Sequence, residues 1–160
     1  MTQASPSDDA LTAAMRSAVA LERDALDALA AALGADALSA VRLMAGVKGR
    51  VICAGVGKSG HVARKIAATL ASTGTPAQFV HPSEASHGDL GMITPDDAVL
   101  ALSKSGETRE LGDLIAYCRR FAVPLLGLTA NADTTLGRGA DIALVIPDAP
   151  EACAETRAPT

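Results

Sequence analysis

The sequence predicts an α/β fold, a doubly wound parallel five-stranded sheet with N-terminal helices. Three observations predict it. Short apolar runs without polar alternation begin near residues 50, 77, 98, 124 and 142, segments with helical spacing separate them, and Gly/Ser/Thr-rich turns come after the strands. Strands that are apolar on both sides and are joined by helices belong to parallel sheets covered on both faces. A chain of 160 residues has room for one domain with a sizeable core.

Ser7, Asp8 and Asp9 supply an N-cap and an acidic first turn, and Leu11, Met15, Ala18, Val19, Leu26 and Leu29 recur at helical spacing up to Gly34. A second helix is expected over 36–44, stopped by Gly46 and Gly49. These Ala-rich helices suit packing or contact between subunits. The run 50–54 is a buried strand that enters GVGKSG, after which Val62, Ile66 and Leu70 mark one helix face ending near Gly74. A strand over 77–80 leads into the polar stretch HPSEASHGDLGMITPDD, for which no element is expected. A third strand, 98–102, ends at SKSGET, and Leu111, Leu114, Ile115, Cys118 and Phe121 trace the next amphipathic helix. Apolar runs at 124–128 and 142–146, with a turn or short helix at 133–138 between them, complete the sheet. One domain is expected, made of N-terminal helices (1–48), a parallel core (49–147) and a tail (148–160). Ligands of such sheets bind beyond the carboxyl ends of the strands, where the Gly/Ser-rich turns fall.

Charge and composition narrow the partners. With 14 Lys and Arg against 18 Asp and Glu the net charge is −4, so no diffuse basic field attracts nucleic acid or an anionic membrane. Aromatic residues make up 2% of the chain and Trp is absent, which removes the stacking platforms of single-strand binders. Cys53, Cys118 and Cys153 are odd in number and form no C-x-x-C pair, a pattern of reduced thiols. Acidic residues interrupt the N-terminal apolar stretches, and no window approaches the roughly 18 apolar residues of a spanning helix. A cytoplasmic location is expected.

The segment Gly55-Val-Gly57-Lys58-Ser59-Gly60 matches G-x-G-x-x-G between a strand and a helix. A nicotinamide site would also want an acid at the end of the next strand, and that strand ends Val80-His81. A P-loop would need glycine where Ile52 stands. There remains a turn offering N–H groups, a lysine and a hydroxyl to an anion of phosphate size; glycines that only let strand and helix pack closely are the plainer reading. The stretch Ser103-Lys104-Ser105-Gly106-Glu107-Thr108 favours phosphate, because three hydroxyls beside a lysine exceed what one helix cap needs. His81 and His87 suit hydrogen bonding or proton transfer at the sheet edge better than a closed metal site, and His61 reads as a surface or packing residue. No G-x-S-x-G supports a serine hydrolase.

GVGKSGHVARKIAATLASTGTPAQFVHPSEASHGDLGMITPDD, SKSGET and PEACAETRAPT together resemble the sugar isomerase (SIS) domain of D-arabinose 5-phosphate isomerases, over roughly residues 15–160. The phosphate loops are common to many SIS proteins, whereas the histidine-containing stretch and EAC…APT are more specific. The resemblance implies a flavodoxin-like sheet and interconversion of D-ribulose 5-phosphate and D-arabinose 5-phosphate, for the lipopolysaccharide sugar Kdo. By resemblance, phosphate and sugar contacts map to Ser59, Gly74, Thr75, His81, His87, Ser103, Ser105 and Thr108. Residues implicated in catalysis map to Lys58, Glu110 and Glu151, and an inhibitory zinc site maps to His81. The resemblance also implies a homo-oligomer, dimer or tetramer, with sites assembled between subunits, and no cofactor.

That chemistry needs a base and a proton donor near the carbonyl oxygens, since a proton leaves the carbon beside the carbonyl and returns through an enediol. Glu110 or Glu151 can serve as base; Lys58 or a histidine can stabilise the enediolate. Without the resemblance, Glu110 reads as an exposed helix residue beside a basic neighbour. Two departures stand out: Lys104 replaces the usual asparagine, and members of the family continue past Ala158-Pro159-Thr160 with closing helices, a further histidine and regulatory CBS domains. The expected domain is therefore incomplete at its C-terminal end. Alternatives are a non-catalytic sugar-phosphate-binding SIS module, another SIS phosphosugar isomerase, and, in a different class, a nicotinamide-dependent oxidoreductase.

Overall fold

A computed structural model describes residues 5–152. Residues 33–146 form one compact unit, while the first helix and the segment from Pro147 belong to a second. In that second unit, α1 (Asp8–Ala32) is amphipathic and buries none of its residues, with Met15, Val19 and Leu26 exposed.

The larger unit starts with α2 (Ala35–Ala45) and continues through β1 (Val51–Gly55), α3 (Gly57–Ser72), β2 (Ala77–Val80), α4 (Pro82–Ser86), β3 (Ala98–Leu102), α5 (Gly112–Phe121), β4 (Leu125–Thr129), α6 (Thr135–Gly139) and β5 (Ile142–Val145). Two 3₁₀ turns, Asp89–Met92 and Arg109–Leu111, precede β3 and α5 respectively. The five strands are all parallel in the order β2-β1-β3-β4-β5, the flavodoxin-like arrangement. The expected sheet is therefore present, with strand ends shifted by a residue.

Strand side chains divide between two cores with period two. On one face Val51, Cys53, Leu100, Leu102 and Leu126 pack with Ala40 of α2 and with Ala63 and Ala67 of α3. On the other, Ile52, Ala54, Val99, Ala101 and Leu125 pack with Ala85, Leu111, Leu114, Cys118 and Leu136. Fully burying a leucine such as Leu114 contributes about 1.5–3 kcal/mol. Because β1 and β3 are buried along their whole length, they show no polar alternation in the sequence.

The polar stretch after β2 contains α4 and the turn Asp89–Met92, neither of them expected. Both elements span five residues or fewer, too short for a 3.6-residue period to register. α4 packs against Arg109–Leu111 and α5, and the Tyr117 hydroxyl donates to the Ile93 carbonyl at 2.9 Å.

The amino edge of the sheet is closed by Asp97, which is 2% exposed. Its Oδ1 accepts from the Arg50 N–H at 2.7 Å, and its Oδ2 from the Thr94 N–H at 2.8 Å and the Thr94 hydroxyl at 3.0 Å. Burial pushes the Asp97 carboxyl up, but these donors and the Arg50 guanidinium outweigh it and hold the group below its ordinary value. Gly49 adjoins this carboxylate so closely that a Cβ there would overlap it.

Candidate functional site

The carboxyl ends of β2, β1, β3 and β4 come side by side because the strands are parallel and in close register. Ala54 pairs with Val80, Gly55 with Leu102, and Leu102 with Leu128, so His81, the GVGKSG turn, Ser103 and Thr129 lie in succession along a single edge. Between β1 and β3 the connections leave in opposite directions. That is the crevice where sheets of this order bind ligands.

On the β1 side, Gly60 packs α3 onto the strand. A Cβ at Gly60 would lie 2.6 Å from the Gly55 carbonyl oxygen, so this glycine serves close packing, as the plainer reading of the motif has it. Lys58 and Ser59 occupy the first turn of α3, whose N-cap Val56 offers no side-chain hydrogen bond. The first N–H groups of a helix lack intrahelical acceptors and carry its positive dipole end.

On the β3 side the three hydroxyls differ. Ser103, 3% exposed, is the hub: its Oγ lies 2.8 Å from Thr108 Oγ1 and 3.4 Å from Ser105 Oγ, and accepts from the Gly106 N–H at 3.0 Å. Ser105 is exposed, with its Oγ accepting from the Glu107 N–H at 3.3 Å, and Thr108 is half-buried. Ser103 thus shapes the turn, and Ser105 and Thr108 line its accessible side. Glu110 comes next, on the exposed side of the 3₁₀ turn Arg109–Leu111.

What holds this turn lies outside the turn itself. The Lys104 carbonyl accepts from the Ala130 N–H at 3.0 Å, the Gly106 carbonyl from the Leu136 N–H at 2.9 Å, and the Glu107 carboxylate from Thr135. The turn after β3 is therefore fastened to the loop after β4, where Thr134 caps α6 by accepting from the Gly137 N–H at 3.2 Å. The Asn-Ala-Asp-Thr-Thr run was the available signal, since such residues gather at caps.

His81 is half-buried and caps α4, its Nδ1 accepting from the Ser83 N–H at 3.2 Å, which leaves Nε2 as the other polar atom of the ring. Phe79 meets His81 edge-on with centroids 6.3 Å apart, and the Arg64 guanidinium lies 3.8 Å over Phe79. His87 is exposed at the end of α4, and His61 is exposed on α3. Among the described residues no group of three or more His, Cys, Asp and Glu converges on a point.

Gly74 and Thr75 stand apart. They lie in the connection from α3 into β2, at the amino edge, one strand length of about 15 Å from the crevice turns. Glu151, in the second unit, is half-buried. Cys153 and the part of the expected tail beyond it lie outside the described residues.

Among the described residues no single helix is long and apolar enough to cross a membrane. Residues 44–160 match the SIS domain model. The chain is 52% identical over 142 residues to arabinose 5-phosphate isomerase KdsD of Pseudomonas aeruginosa, an alignment covering 89% of this chain and 44% of that protein. It is 45% identical over 159 residues to arabinose 5-phosphate isomerase KpsF of Escherichia coli O6:H1, covering 99% of this chain and 49% of the other. The chain thus spans about half the length of the curated relatives it matches. Among solved structures, an Escherichia coli CFT073 protein in complex with arabinose 5-phosphate superposes with a TM-score of 0.87 at 34% identity, covering 92% of this chain and 79% of that one. With its order of strands, its paired turns at the crevice and a family match over most of its length, this chain belongs to the SIS domain family.

Proposed function

We infer that the chain is the SIS domain of an arabinose 5-phosphate isomerase, interconverting D-ribulose 5-phosphate and D-arabinose 5-phosphate in the cytoplasm as a step toward Kdo and lipopolysaccharide. The observation that carries this reading is the 52% identity to an enzyme of that name across a stretch that includes both turns of the crevice. The geometry is consistent with the chemistry. The phosphoryl group is received by Ser59, Ser105 and Thr108, in a turn that Ser103 shapes from inside, together with the N-terminus of α3, which leaves the sugar chain to extend toward His81 and His87. Glu110 takes the proton beside the carbonyl, and Lys58 stabilises the charge on the enediolate oxygens.

Gly74 and Thr75 lie on the opposite edge from these groups, so if they touch sugar they do so in the site of a second copy. This supports a homo-oligomer, a dimer or tetramer, with sites shared between subunits. The test is direct: assay this chain, and a version extended past residue 160, for conversion of D-ribulose 5-phosphate to D-arabinose 5-phosphate. Turnover by either supports the reading. Absence of turnover by both overturns it, and binding without turnover marks a sugar-phosphate-binding module.

A further inference from the structure

The crossover from β2 to β3 carries both His81 and His87, yet its only helical pieces are the five-residue α4 and the four-residue turn Asp89–Met92. Pieces that short do not hold themselves in water, so side chains from other elements must fix the crossover. At its near end Pro82 and Ala85 are buried, and His81 caps α4. At its far end, two side chains from outside take consecutive carbonyls. Arg50, just before β1, donates from Nη2 to the Met92 carbonyl at 2.9 Å, and the Tyr117 hydroxyl of α5 donates to the Ile93 carbonyl at 2.9 Å. Arg50 is itself held in place. Its Nη1 donates to Gln78 Oε1 of β2 at 2.8 Å, and its Nε lies 3.6 Å from Asp97 Oδ1.

Asp97 receives its main-chain donors whether or not Arg50 has a guanidinium, and the Arg50 side chain is 38% exposed and belongs to neither core. What the guanidinium adds is the link from the edge strand β2 to the end of the histidine crossover. It does so from the amino edge, about 15 Å along β1 from the crevice turns. We propose that Arg50, with Tyr117, is a positioning residue: the pair fixes the far end of the crossover and so sets where His81 and His87 stand. The kinetic consequence rests on the isomerase reading; the tether does not.

Arg50→Met, Arg50→Lys and Tyr117→Phe are compared with the parent in peptide-resolved hydrogen exchange and in steady-state isomerase kinetics, on this chain or, where turnover needs it, on the version extended past residue 160. The N–H groups of Ala85, His87, Gly88, Gly91 and Ile93 are hydrogen-bonded within the crossover, so peptides over 82–93 report its opening. Tyr117→Phe is expected to speed exchange there about fivefold and Arg50→Met about tenfold or more, the effects of one and two lost hydrogen bonds. Peptides from β3 and β4 should exchange as in the parent. Arg50→Lys keeps the charge and one donor, and is expected to recover part of the loss. In turnover Arg50→Met should lower kcat about three- to tenfold with KM within about twofold, because the turn bearing Ser105 and Thr108 is held separately. A merely structural arginine would change the amount of folded enzyme and leave kcat per folded molecule unmoved. Tyr117→Phe keeps its ring against Phe121, so the test stands even where Arg50→Met does not fold. Parent-like exchange over 82–93 in the variants overturns the proposal, as does faster exchange with kcat and KM of an active parent unchanged. If neither the parent nor the extended chain converts the pentose phosphate, the isomerase reading fails, and the exchange result alone upholds or overturns the tether.

Discussion

Glu107 and Thr135 are 28 residues apart in sequence, yet the Glu107 carboxylate accepts the Thr135 N–H at 2.8 Å and its hydroxyl at 2.6 Å. One side chain thereby caps the start of α6 and fastens the turn after β3, which makes Glu107 a positioning residue for Ser105 and Thr108. Hydrogen bonds from Thr135, first from its hydroxyl and then from its N–H, hold the Glu107 carboxyl below its ordinary value. A depressed carboxylate contributes above its unfolded value, and its contribution disappears as pH falls through the folded one. Glu107→Ala is expected to raise KM for the phosphosugar with kcat less affected, and Glu107→Asp to recover only part of the loss. Steady-state kinetics at neutral pH check this.

Gly106 has φ of +68°, and a Cβ there would overlap the Thr134 hydroxyl that caps α6. Gly57 has φ of +58° with nothing within 4 Å of a Cβ. Gly106→Ala should therefore cost about 2–4 kcal/mol, combining left-handed strain with overpacking. Gly57→Ala should cost about 1–2 kcal/mol, from strain alone. Urea unfolding of the two variants separates the contributions.

Asp97→Ala removes the acceptor of the Arg50 and Thr94 N–H groups at the buried amino edge, and a loss of about 2–4 kcal/mol is expected. The pH dependence has a definite sign. Because the folded value is depressed, the stabilisation is present above about pH 4, the ordinary unfolded carboxylate value, and vanishes as pH falls through the folded value. The parent's thermal midpoint should fall more steeply between about pH 5 and pH 2 than that of Asp97→Asn. Thermal scans across that range read the difference directly.

Burial pushes the Cys53 thiol up to about 11, and burial together with the Asp141 carboxylate, the smaller influence, pushes Cys118 up to about 12. Neither forms thiolate near neutrality. Peptide mass spectrometry after brief alkylation of the native protein at pH 7.5 should find both unmodified, and both should react after denaturation. Modification of either in the native state contradicts the packing of the two cores around the sheet.

The sheet was legible because β1 and β3 are buried end to end and advertise it as unbroken apolar runs, and because α3 and α5 are long enough to display a helical period. The Gly/Ser-rich turns of the crevice were legible for the same reason, since the end of a strand locates the turn that leaves it. Other features leave no periodic trace. α4 and the turn at Asp89–Met92 are too short, and the division of labour among Ser103, Ser105 and Thr108 depends on which hydroxyl faces inward. Glu107 gave no sign of its partner, because the contact joins loops from different strands. Gly74 and Thr75 carried a motif resemblance, but only the direction of β2 reveals that they sit on the far edge.

The two edges of the sheet impose different freedoms on anyone who would redesign this protein. Asp97 and Gly49 lock the amino edge around a buried carboxylate that a Cβ at Gly49 would overlap, so diversity introduced there is taken out of stability. At the other edge, Lys104 and Ser105 are exposed in a turn held from behind by Thr129 and Ala130, and Glu110 is exposed on the 3₁₀ turn that follows. A combinatorial library confined to those three positions varies surface chemistry at the crevice while leaving both cores intact.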